Sequence, residues 1–202
     1  MKITFAEEKR GEIRRIQDRF RNQLSEAQIK QGTVQAINGV MQRSISKINK
    51  GVKKEYNINS KYLSRIAVVS PKAKQNALYA GIKIRYAPIP LVGFKPKQTG
   101  SAISVTIKKG KTAIVRESFI ATMSSGHTDV YARGHYERKG FVHEKEKTSK
   151  GKTRITEIQT ASPFTMGTSQ TVASEVQSYM GSEVLKRVEG ILRGKVDKIT
   201  KK

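Results

Sequence analysis

The chain has no cysteine and no tryptophan. The first absence excludes disulfide staples, thiolate catalysis and cysteine-ligated zinc. Aromatic residues make up 6% and hydrophobic residues 36% of the 202 positions. The core is therefore modest, and some of the apolar surface is expected to find partners in neighbouring subunits. No apolar run approaches the ~18 residues that cross a bilayer, so no membrane partner is expected. Met1–Arg10 carries charged residues where a secretory leader has its apolar stretch. No leader is expected, and a cytoplasmic origin is compatible. The length favours a single domain with appendages.

One internal stretch lacks acid altogether. Tyr56 to Arg116 holds 12 basic residues and no Asp or Glu, whereas residues 1–55 carry 13 basic and 6 acidic side chains and residues 117–202 carry 15 and 10. Half of the formal charge of +24 thus sits in residues 56–116. A solvated charged face mixes signs. A stretch of one sign repels itself, which points to a polyanion or an acidic protein lying against it. If the polyanion is DNA, contacts go to phosphate, without sequence specificity, and binding weakens with salt. A merely soluble basic surface is the plain alternative.

Apolar spacing of three and four over Ile13, Ile16, Phe20, Leu24 and Ala27 predicts a helix from Glu7 to Lys30. Gly32 reads as its stop and Thr33 as the cap of a second helix. Val34, Ile37, Met41, Ile45, Ile48 and Val52 mark that helix, with Arg43, Lys47, Lys50, Lys53 and Lys54 on its other face. Ser60 caps a short turn through Leu63 and Ile66. After Pro71 the period becomes two, with Ala80, Ile82, Ile84 and Tyr86 alternating with Lys83 and Arg85. Further strands are expected at Ala102–Ile107, Thr112–Arg116, Ser118–Thr122 and Val130–Arg133. Gly110 turns the first two into a hairpin across Lys108–Lys111. Phe141 to Arg154 is lysine-rich and poor in apolar residues, and reads as a mobile arm. Ile155 and Ile158 are a weak strand signal. Val172, Val176, Tyr179, Met180, Val184, Val188, Ile191 and Leu192 form a long helical stripe, with Gly194 and a lysine-rich tail after it.

The expected class is α+β, with N-terminal helices, a small mostly antiparallel sheet and a long C-terminal helix packing on the sheet. The segments are 1–54, helical; 55–168, basic and β-rich with the arm at 141–154; and 169–202, helix and basic tail, one domain in all.

Chemistry is sparse. His127, His135 and His143 are eight residues apart, which matches no metal-ligand spacing. They read as loop histidines without a ligand role, so no metal and no cofactor is expected. Asp129 and Glu137 flank His135, but nothing positions a nucleophile and no phosphate-cradling glycine loop is present. No catalytic residue is assigned. The DNA- or partner-contact candidates are Lys83, Arg85, Lys95, Lys97, Lys108, Lys109 and Lys111. Tyr56, Tyr62, Tyr79, Tyr86 and Phe94 lie among the lysines, where base stacking is conceivable. Their alternation with Ile and Ala favours core or interface anchors.

Ala36-Ile37-Asn38-Gly39-Val40 in a basic helix runs on to Lys53-Lys54-Glu55-Tyr56-Asn57-Ile58 and Ser60-Lys61-Tyr62-Leu63. Ile89-Pro90-Leu91 and Phe94 precede the basic hairpin. Ser118-Phe119-Ile120-Ala121 is followed by Val130-Tyr131-Ala132-Arg133. This order of segments, from Gly32 to Leu192, resembles the minor tail protein Z family of long-tailed bacteriophages. The resemblance implies a structural virion part and not an enzyme. It implies a homo-oligomeric, six-fold ring at the neck, between tail-terminator and head-closure rings. Its bore would touch the double-stranded genome by non-specific phosphate contact, and its assembly would occur in the host cytoplasm. Two other readings stay open. One is a non-sequence-specific nucleic-acid-binding protein associated with ribosome or nucleoid. The other is a nuclease using His127, His135 or His143.

Overall fold

The structure is a computed structural model and describes residues 2–4, 9–63, 66–137, 140–144, 154–160 and 162–201. In chain order it runs β1 (Lys2–Thr4), α1 (Lys9–Arg19), α2 (Glu26–Glu55), α3 (Ser60–Leu63), β2 (Ala67–Val69) and β3 (Gly81–Ile84). A 3₁₀ turn (Leu91–Phe94) leads to β4 (Lys97–Thr99), β5 (Ala102–Val105), β6 (Ala113–Arg116), β7 (Ser118–Thr122) and β8 (Thr128–Glu137). β9 (Gly140–His143), β10 (Ile155–Glu157), α4 (Pro163–Gly167) and α5 (Gln170–Thr200) complete it. The class is α+β, as the sequence predicts. The chain forms two compact units: Met1–Gly51 with Arg65–Arg85 and Gly167–Lys202, and Val52–Ser64 with Tyr86–Met166. Residues 1–51 and 167–202 thus share one unit.

The first unit is helical with a small sheet. Ile13 and Ile16 of α1 are buried, as are Phe20 and Leu24 beyond it. The expected helix to Lys30 is in fact two, because the chain turns after Arg19 and restarts at Glu26. A reciprocal cap makes the break. The Ser25 N–H donates to Gln28 Oε1 at 2.9 Å, and the Gln28 N–H donates to Ser25 Oγ at 3.3 Å. Such a box satisfies two orphan donors of a helix start at once. Ala27, expected on the first apolar face, is exposed.

Gly32 and Thr33 are therefore neither stop nor cap; both lie inside α2. Gly32 permits close helix packing, since a Cβ there would stand 2.8 Å from Leu192 Cδ2. Gly51 does the same against Val172, at 3.0 Å. Thr33 is fully buried, and its hydroxyl donates to the Ile29 carbonyl at 2.9 Å while accepting from Gln17 Nε2 at 2.9 Å. Val172, Val176, Met180, Val184, Val188 and Leu192 recur every four residues on α5, each at most 2% exposed. Burying one such side chain stabilises the fold by about 1.5–3 kcal/mol. α5 also packs on α1, where Arg19 reaches Glu189 at 3.4 Å. The helix continues through Gly194 to Thr200, where a tail was expected.

The sheet of this unit has the antiparallel order β1-β3-β2. Ile82 and Ile84 of β3 are buried and Lys83 is exposed, which is the alternation read from the sequence. Asn38 of α2 fixes the β2–β3 connection. Its amide donates to the Ala73 carbonyl at 3.0 Å and its Oδ1 accepts the Ala73 N–H at 2.8 Å. That gives the asparagine of the Ala36–Val40 motif a structural task.

The second unit holds two further antiparallel sheets, so the single small sheet expected is divided. One has the order β4-β5-β6; the other has β10-β8-β7, with β9 also pairing β8. β8 changes partner along its length. Tyr131–Arg133 pair with β10, and Gly134–Glu137 pair with β9. Gly134 sits at the change with φ 141°, and a Cβ there would run into the Val142 carbonyl oxygen. Phe141–His143, expected in the mobile arm, belong to β9. Residues 145–153 of that arm lie outside the described residues. The core of this unit includes Phe94, Leu91, Ile103, Val130 and Met166, each no more than 2% exposed.

Candidate functional site

The expected contact residues fall in both units. Lys83 and Arg85 belong to the first, on and just after β3, and both are exposed. Lys95, Lys97, Lys108, Lys109 and Lys111 belong to the second and are also exposed. The last three share the turn between β5 and β6, where Gly110 takes φ 79° as the hairpin reading requires. Lys95 follows the 3₁₀ turn in a left-handed conformation, and Lys97 lies on β4, opposite Ser104.

The β5–β6 connection is anchored from below. The Asn57 N–H donates to the Ile107 carbonyl and the Lys109 N–H to the Glu55 carbonyl, both at 2.9 Å. This backbone contact joins the turn to the end of α2, whose last residues include the exposed Lys53 and Lys54. A fixed backbone presenting several lysines binds anions with less ordering cost than a free arm. Among the described residues, none of Lys83, Arg85, Lys95, Lys97, Lys108, Lys109 and Lys111 meets a carboxylate within 4.0 Å.

The acids of the second unit explain part of this. His127 Nε2 lies 3.6 Å from Asp129 Oδ2 and 3.4 Å from Glu157 Oε2. His135 contacts Glu137 through Nε2 at 3.2 Å and Glu144 through Nδ1 at 2.5 Å. His143 Nδ1 is 3.6 Å from Glu117. The described carboxylates between Glu117 and Glu157 all face histidine. The histidines expected in loops are therefore paired side chains, and two of them, His135 and His143, sit on strands.

Asp129 is fully buried. Its Oδ1 accepts the Val92 N–H at 3.0 Å and the Val130 N–H at 2.7 Å. Among the described residues its Oδ2 has no hydrogen-bond partner. Burial, and then the charge of Asp129, push the Glu157 carboxyl above its ordinary value. The Tyr131 hydroxyl is likewise raised, first by burial and then by Glu157 and Asp129. The His127, Asp129 and Glu157 donor atoms all lie within 4.8 Å of one another. The spacing of the histidines did not reveal this group. The available signal was His127-x-Asp129 entering a strand, where residues two apart share a face; Glu157 is brought in by the pairing of β10 with β8.

Of the aromatics among the lysines, Phe94 is buried core, while Tyr79 and Tyr86 are 47% and 76% exposed. Tyr86 packs on Phe164 with ring centroids 5.8 Å apart. Among the described residues, no helix is long and apolar enough to cross a membrane.

A family model described as prophage minor tail protein Z (GPZ) matches residues 18–198. The match begins ahead of Gly32, where the motif resemblance starts, and takes in the end of α1. No curated protein and no solved structure matches the chain.

Proposed function

The chain belongs to the prophage minor tail protein Z family, a family of phage tail structural proteins, and from that premise we propose that it forms a homo-oligomeric ring where the tail meets the DNA-filled head. The ring is six-fold, lies between tail-terminator and head-closure rings, and sets its basic surface against double-stranded DNA or an acidic face of the adjoining ring. The role is structural and not enzymatic. The observation that carries this reading is the set of exposed lysines at 95–111 with no carboxylate beside them among the described residues. No internal ion pair among the described residues is broken when they meet an anion, and each phosphate they neutralise releases counterions.

Electron microscopy of the purified full chain, alone and added to isolated tails, tests the proposal. A ring in either preparation is expected, with density at the head-proximal end of the tail. A monomer in both overturns the ring. Tight binding to free DNA in a filter assay, with a steep salt slope, favours the nucleoid- or ribosome-associated reading instead.

A further inference from the structure

We propose that His127 Nε2, Asp129 Oδ2 and Glu157 Oε2 hold a divalent cation, zinc by their spacing, that ties β10 to β8 in the second unit. Three observations carry this. The donor atoms converge from the β7–β8 turn, from β8 and from β10 within 4.8 Å of one another. The 3.4 and 3.6 Å separations from the histidine nitrogen suit donors about a tetrahedral zinc, which with bonds of about 2.0–2.2 Å stand roughly 3.3–3.6 Å apart. Finally, Asp129 Oδ2 is an orphaned oxygen on a fully buried side chain, turned toward the other two groups.

A buried carboxylate oxygen without a hydrogen-bond donor is costly, because that atom has left water with nothing in its place. A second carboxylate beside it makes matters worse. A cation removes both penalties. The other lone oxygen of Asp129 is held by the Val92 and Val130 N–H groups, which orients the ligand as hydrogen bonds around metal carboxylates do. One imidazole and two carboxylates form a mixed nitrogen–oxygen set that suits zinc above magnesium. His127 is half exposed, so an ion has a path in and water can complete the coordination. The task that fits is structural. β10 has three residues and the 3₁₀ turn four, and an ion joining β10 to β8 and, through Asp129, to that turn pins two short elements to a long strand.

The competing occupant is a proton, shared between the two carboxylates or carried by His127. The full chain is stripped with a chelator and titrated with zinc chloride by calorimetry, with thermal melts in parallel. One-to-one binding and a rise in melting temperature are expected. In His127→Ala and Glu157→Gln the affinity falls by more than the roughly tenfold that loss of an outer-shell partner costs and the melting rise shrinks with it, while His135→Ala binds as the unaltered chain does. Cobalt in place of zinc gives the strong visible absorption of a tetrahedral site, absent in His127→Ala. Glu157→Gln keeps the size and shape of its side chain, so the test stands even where His127→Ala lowers stability. No zinc heat and no melting shift, wild-type affinity in both ligand variants, or a preference for magnesium each overturns the proposal. None of these outcomes bears on the tail assignment, which rests on the family match.

Discussion

The two compact units place their carboxylates differently. In the helical unit, cations meet acids across turns and helices: Arg21 with Asp18 at 2.9 Å, Lys30 with Glu26, Arg19 and Arg193 with Glu189. Lys30 draws the exposed Glu26 carboxyl below its ordinary value. In the β-rich unit the described carboxylates from Glu117 to Glu157 are taken by histidines. Among the described residues, the lysines at 95–111 meet no carboxylate. The difference teaches that net charge alone is a poor guide to a binding face. What matters is where the acids stand, and the described carboxylates from Glu117 to Glu157 stand beside histidines.

Breaking the helical unit gives the largest effect. Val184→Asp places an unpaired charge at a fully buried point of α5 and is expected to cost roughly 3–5 kcal/mol by urea unfolding. A loss under about 1 kcal/mol would show that the stripe does not seat α5. Next comes the β-rich unit, where Gly134→Ala drives a methyl group at the Val142 carbonyl. The strain is about 1–3 kcal/mol, and hydrogen exchange should quicken first in Phe141–His143. Ser25→Ala removes the box that separates α1 from α2 and costs about 1 kcal/mol in a thermal melt; an unchanged melt would locate the break elsewhere.

The smallest effect on folding sharpens the contrast most. Lys108→Glu combined with Lys109→Glu should leave stability within about 0.5 kcal/mol, since neither lysine has an acidic partner among the described residues. Infectious particle yield should nevertheless fall. Normal yield would remove the pair from the contact surface.

Much of the fold is legible in the residues. The α5 stripe, the β3 alternation and the Gly110 hairpin each follow from period and turn chemistry over short distances. The failures have a common cause. Gly32 looks like a helix stop because glycine is a poor helix former, yet its place is set by Leu192, 160 positions away. The Ser25–Gln28 box was readable, but the apolar period running through it hid the break. β9 hides in a lysine-rich stretch because its strand state comes from pairing with β8. At the candidate site, exposure of the seven cations follows from their charge, whereas the His127–Asp129–Glu157 group depends on pairing between strands far apart in sequence.

The sequence by itself determined that this protein is basic, free of cysteine, α+β, and a member of a phage tail family, because composition, periodicity and motif order are local properties. Only the tertiary structure decided which cations go without acidic partners and which acids converge on a histidine. Those outcomes turn on contacts a few ångströms long between residues that chain order keeps apart, and strand pairing and helix packing alone bring them together.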